Sequence, residues 1–109
     1  MKTEQPILIT SIKALGYTAK NLFVDFDGNI CALADKAFGV SNACASQDEQ
    51  LPVMVTGIAL IYSGAAITQG AKVESDSEGK AVTLTSGELN GYALDAATDG
   101  DQLIRILLA

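Results

Sequence analysis

Two aspartates stand two residues apart at the end of an apolar run, Leu22-Phe-Val-Asp25-Phe-Asp27-Gly28-Asn29-Ile30. In an aspartyl phosphatase this spacing supplies a carboxylate nucleophile and, two residues on, the acid that protonates the leaving oxygen, with Mg²⁺ completing the site. Such an enzyme also needs a doubly wound α/β sheet, a lysine that steadies the phosphate and a later acidic pair. A chain of 109 residues is too short for that sheet. No crossover helix follows Asp27, and Asn29 stands where a threonine is required. Asp25 and Asp27 are therefore expected as strand-end and turn residues facing solvent.

Other chemistries are also poorly supplied. A calcium loop of the EF-hand kind needs ligands at alternate positions and a glutamate at the twelfth, and only the first two carboxylates are in place. Asp76-Ser-Glu78 and Asp99-Gly-Asp101 also read as acidic glycine turns. Histidine is absent, which removes the commonest general base and metal ligand. No serine or cysteine lies in a nucleophile elbow, and the glycines lack phosphate-loop spacing. No catalytic, cofactor or metal residue is assigned. Cys31 and Cys44, thirteen positions apart, are expected as small buried hydrophobes rather than a disulfide or metal pair.

Seven basic against thirteen acidic residues give a net charge of −6. No basic cluster offers phosphate neutralisation, so no direct nucleic-acid role is expected. There is no apolar run of membrane-spanning length. The start MKTEQPILIT has neither the basic opening nor the apolar stretch of a signal peptide, so synthesis in a bacterial cytoplasm and no membrane role are expected. Aromatic residues make up 6% and tryptophan is absent. One core built from Ala, Val, Ile and Leu follows.

The elements that would carry these residues are short apolar runs separated by glycine, the pattern of strands and turns. Strands are expected over 6–15, 22–26, 30–33, 51–62, within 64–82, over 91–94 and over 101–109. At most one helical turn fits, at Ala34 to Phe38. In the longest run, Val53 and Val55 alternate in one phase and Ile58, Leu60 and Tyr62 in the other. A bulge or bend at Gly57 would absorb the slip. The expected fold is mainly β, a small barrel or jelly-roll-like sandwich of seven to ten short strands. Residues 1–9 form an extended arm or edge strand, and 10–109 a single β-rich domain.

Two resemblances bear on function. Gly64 to Val82 has the glycine-turn rhythm of the small barrels that carry lipoate or biotin, with Asp35-Lys36-Ala37 and Lys80 as candidate carrier turns. Lys36 falls in the wrong part of the chain and Lys80 lacks the flanking residues. A carrier or ligand-binding barrel is the second reading. Nearly end to end, the chain resembles the capsid cement, or head decoration, proteins of tailed bacteriophages. The marks are Phe38-Gly-Val-Ser41 before an acidic loop, Leu51-Pro-Val-Met-Val-Thr-Gly-Ile-Ala59, Gly64-Ala-Ala-Ile-Thr-x-Gly-Ala-x-Val73, Ser75-Asp-x-x-Gly-Lys-Ala-Val82, Gly91-Tyr-Ala-Leu94 and Leu103-Ile-Arg-Ile-Leu-Leu108.

That resemblance implies a non-enzymatic virion protein on the capsid exterior, a dimer or trimer that bridges copies of the phage major capsid protein. Lys2, Thr3, Glu4, Gln5, Pro6, Ile7, Leu8 and Ile9 form an extended, proline-containing chain end of the kind that adds to a partner's sheet edge. They are the expected partner-binding residues. Ile58, Leu60 and Tyr62 share one strand face, which serves either the core or an oligomer interface.

Overall fold

The computed structural model describes residues 3–108, all of them in strands, turns or irregular chain. The strands are β1 (Gln5–Lys13), β2 (Phe23–Val24), β3 (Gly39–Ser41), β4 (Gln50–Tyr62), β5 (Lys72–Ser75), β6 (Ala81–Thr83), β7 (Gly91–Ala93) and β8 (Leu103–Leu108). Every named ladder is antiparallel. The sheet runs β2-β3-β4-β8-β7-β5-β6, with β1 lying off this path against β4.

Its two ends are drawn together. Ser63, just past β4, bridges Ala81 of β6, and the Phe23 amide of β2 donates to the Gly79 carbonyl at 2.8 Å. The result is a nearly closed β-barrel, one of the two mainly β architectures expected, the other being the jelly-roll-like sandwich. Closure satisfies backbone groups that an open sheet would leave exposed.

The core uses small pieces, as the composition requires. Phe23, Met54, Ala59, Ile61, Val73, Ala93, Ile104 and Ile106 belong to one buried cluster. Ala14, Val24, Ala45, Leu51 and Val53 form a second, which corrects the expectation of one core. Fully burying each large aliphatic side chain contributes about 1.5–3 kcal/mol, so Ile61, Ile104 and Ile106 anchor the closing strands.

The phase slip in β4 is real and is centred on Gly57. Met54 shares its cluster with Ala59 and Ile61, five and seven residues away, which strict alternation forbids. Gly57 lies between them with φ at 116°, a conformation that a side chain resists. The β1–β4 register is irregular at the same level, between Pro6 and Ile9.

Three local expectations are corrected. Residues 30–33 form no strand beyond a single bridge of Ile30 to Val24. The Asp35 carboxylate accepts from the Ala32 amide at 3.3 Å, and Ala34 turns to a positive φ of 65°. Residues 34–38 contain no helical turn, because the Ala37 amide is taken by the Asn90 side chain at 2.9 Å instead. The first strand ends at Lys13 rather than 15; Ala14 and Leu15 bond to the Glu49 and Gly28 carbonyls.

Candidate interaction surface

The suspected catalytic pair belongs to a turn that the chain builds twice. Asp25 Oδ1 accepts from the amides of Asp27 at 2.9 Å and Asn29 at 3.0 Å. Asp76 Oδ1 accepts from Glu78 at 2.8 Å and Lys80 at 2.9 Å. In each turn the glycine three residues after the aspartate has a positive φ, 98° at Gly28 and 77° at Gly79. Asp-x-x-Gly is thus a hairpin device: the carboxylate satisfies turn amides and the glycine takes the left-handed position. Asp25 thus commits Oδ1 of its carboxylate to its own backbone.

The remaining chemically able groups are similarly engaged. Lys36 Nζ donates to the Leu89 carbonyl at 2.8 Å, and Lys80 Nζ lies 2.6 Å from Asp101 Oδ1. The Asp101 carboxylate holds the Lys80 ammonium above its ordinary pKa. A carrier lysine must instead project freely from its turn. Cys31 is buried, and desolvation pushes its thiol up to about 12, with the Asp25 and Asp35 charges adding to the rise. Cys44 is exposed, correcting the expectation of burial; it lies in the polar loop between β3 and β4. Among the described residues there is neither a cavity nor a group of three metal-ligating side chains.

What distinguishes this molecule is apolar surface on strands. In β1 every residue except Ile12 is exposed, with Ile7 at 77%, Leu8 at 53% and Ile9 at 42%. Adjacent residues of a strand point to opposite faces, so both faces of β1 are bare. At Ile58, β4 meets Gln5 of β1 and Leu107 of β8, which places them on its two opposite edges. Among the described residues β1 pairs with β4 only, so its outer edge is open. Pro6, lacking an amide hydrogen, is tolerated on such an edge. No charge occurs from Gln5 to Ile12.

Ile58, Leu60 and Tyr62 do share a face, and it points away from the barrel core, which Ala59 and Ile61 fill. Strand pairing extends that face. Leu107 lies opposite Ile58, Arg105 opposite Leu60 and Leu103 opposite Tyr62, and Tyr92 lies opposite Leu107. Tyr62, Tyr92 and Leu107 are 38%, 37% and 44% exposed. Arg105 does not break the apolar character, because Asp95 holds it through two hydrogen bonds of 3.0 and 2.9 Å. That carboxylate keeps the guanidinium above its ordinary pKa.

The structure thus places Thr3, Glu4, Gln5, Pro6, Ile7, Leu8 and Ile9 along one flank, with Thr3 and Glu4 just before β1; Lys2 lies outside the described residues. Ile58, Leu60 and Tyr62 form a separate patch that meets this flank at the Gln5–Ile58 pair. Leu103, Leu107 and Tyr92 were not anticipated. Their membership follows from long-range pairing of β4 with β8 and of β8 with β7, which periodicity does not encode.

The described surface is that of a nearly closed barrel carrying bare apolar strands. Comparison with known families makes this specific: residues 1–108 match the phage cement protein family, to which the chain belongs. Its members are structural proteins of phage, which places this chain among capsid-associated virion proteins. Among solved structures the fold is similar to the N base of the head fiber protein gp8.5 of bacteriophage phi29. That similarity has a TM-score of 0.71 at 18% identity, covering 94% of this chain and 93% of the other. None of the curated proteins matches.

Proposed function

We propose that this protein is a cement subunit that binds the outer surface of the phage head, contacts the major capsid protein through residues 2–9, and bridges neighbouring capsid subunits as a homo-oligomer. The observation that carries the reading is β1, an uncharged strand with an open edge and two bare faces on a barrel whose sheet ends are otherwise drawn together. Long apolar edges are normally shortened, charged or covered. An edge retained on a cement-family chain serves as a template for a partner's extended segment, main-chain hydrogen bonds giving affinity and alternate side chains giving register. Repetition over a shell then adds modest contacts into firm retention. The net charge of −6 favours the exterior over the DNA-filled interior.

The test is co-sedimentation with cognate heads that lack the protein, before and after expansion. Saturable binding at a fixed ratio to capsid protein is expected for the full chain. Loss of binding is expected on deleting residues 2–9 and in Leu8→Asp, with the β-sheet circular dichroism signal retained. Absence of wild-type binding to either form of head overturns the cement reading. Unchanged binding by both variants overturns the role of the arm.

A further inference from the structure

We infer that copies of this chain associate arm to face: β1 of one copy packs its bare side chains on the outer face of the next copy's β4-β8-β7 sheet. This rests on the homo-oligomer part of the reading above and deepens it by assigning both halves of the contact: the side chains of β1 go to the next copy, and its open main-chain edge remains for the capsid protein. The face contributes Ile58, Leu60 and Tyr62 together with Leu103, Leu107 and Tyr92, and the arm contributes Ile7, Leu8 and Ile9, whose strict alternation is broken by the register shifts on either side of Leu8.

Four observations favour a second copy as the occupant. First, one chain presents two uncovered apolar surfaces of matching character, a narrow ridge and a broad sheet face, and neither can cover the other within its own chain. They meet only at the Gln5–Ile58 pair, side by side on the same sheet. Second, both surfaces are neutral where they would meet. The arm has no charge from Gln5 to Ile12, and on the face Arg105 is already neutralised by Asp95. In a chain with thirteen acidic residues, two such surfaces can approach without like-charge repulsion, which elsewhere on the molecule would oppose self-contact.

Third, the rims carry opposite signs. The row Gln5, Ile58, Leu107, Tyr92 and Lys72 crosses five strands by direct pairing and ends on exposed Lys72, while the arm is preceded by Glu4. Fourth, the face is composed as the centre of an interface is, with tyrosines and aliphatics and without unpaired charge. Strands stacked face to face interdigitate at about 10 Å, a packing that a single uncovered strand can enter.

The arrangement differs from the two simpler ones. In a face-to-face dimer the arm is dispensable, and in an edge-to-edge dimer the face is dispensable. In an arm-to-face contact each copy gives one surface and receives the other, so both are required.

Sedimentation equilibrium of the full-length chain and two sets of variants tests this. Leu8→Asp and Ile7→Asp spoil the arm; Leu107→Asp and Tyr92→Asp spoil the face. All four positions are exposed, and circular dichroism checks the fold of each variant. Wild type is expected as an oligomer and each variant alone as a monomer. An arm variant mixed with a face variant is expected to form a 1:1 pair, because each lacks what the other retains. A monomeric wild type, a variant that alone keeps the wild-type mass, or a mixture that stays monomeric overturns the inference. Head binding is a separate readout: a wild type that self-associates as described but ignores heads removes the cement reading and leaves this contact standing. A wild type that binds heads, while an arm or face variant alone keeps the wild-type mass, does the reverse.

Discussion

Gly57 of β4 lies directly against the backbone of β1 at Ile7. A β-carbon on Gly57 would come within 2.8 Å of the Ile7 nitrogen and 2.5 Å of the Gln5 carbonyl oxygen. The same residue carries the positive φ that lets β4 change phase, so one glycine both turns the long strand and seats the arm.

Gly57→Ala is therefore expected to destabilise the fold by about 2 kcal/mol or more, combining left-handed strain with a backbone clash. Urea denaturation measures the loss. Hydrogen exchange is expected to show the first protection lost at Ile7 to Ile9 rather than in β8. An unchanged midpoint would mean that β1 does not lie where described.

Asp25 gives a second test. Asp25→Ala removes an acceptor from two turn amides at a cost of about 1 kcal/mol, seen as a fall in Tm of roughly 4–8 °C. Asp25→Asn keeps the side-chain oxygen and is expected to lose less. A phosphatase would order these variants differently: both would lose phosphate release equally. Neither variant nor the wild type is expected to hydrolyse a generic phosphomonoester.

Burial of Glu74 predicts a larger effect. Its carboxylate accepts from Thr85 Oγ1 at 3.1 Å and from the Gly87 amide at 2.7 Å, fixing the loop between β6 and β7. Glu74→Ala removes a charged acceptor from the half-buried Gly87 amide and the exposed Thr85 hydroxyl, a loss of about 1.5–3 kcal/mol for bonds to a charged group. Faster exchange of the Gly87 amide is the specific sign; a global change without it would place the effect elsewhere.

The two thiols are expected to separate by reactivity. In the native protein at pH 8 a thiol reagent modifies Cys44 promptly and reaches Cys31 only at the rate of unfolding, while both react in denaturant. Because burial raises the folded-state pKa of Cys31 from 9.0 to about 12, its contribution to stability is full below pH 9 and is lost as pH rises to 12. Between those values the unfolded chain releases a proton that the folded chain keeps. Cys31→Ala should flatten the alkaline slope of stability; a slope that persists unaltered would show that Cys31 does not titrate this way.

Strand existence was legible where alternation was long, as in β4 and β8, and the slip at Gly57 could be read directly from Val55 and Ile58. The direction of each face was harder to read. Bulky Ile58, Leu60 and Tyr62 look like core, yet the narrow interior takes Ala59 and Ile61. Residues 30–33 resemble a strand by hydropathy, but the Asp35 side chain and the left-handed Ala34 bend them. The acidic stretches at Asp25 and Asp76 were legible as glycine turns, but the Asp-x-x-Gly hydrogen bonding they share emerged only from the structure, and Tyr92 joined the exposed face only through pairings distant in sequence.

The single open edge has a consequence for growth. A sheet with two free edges can add units indefinitely, which is how fibres elongate. Among the described residues this barrel offers one long edge, so a second copy that pairs through its own β1 ends the sheet there. Edge pairing between copies therefore stops at two.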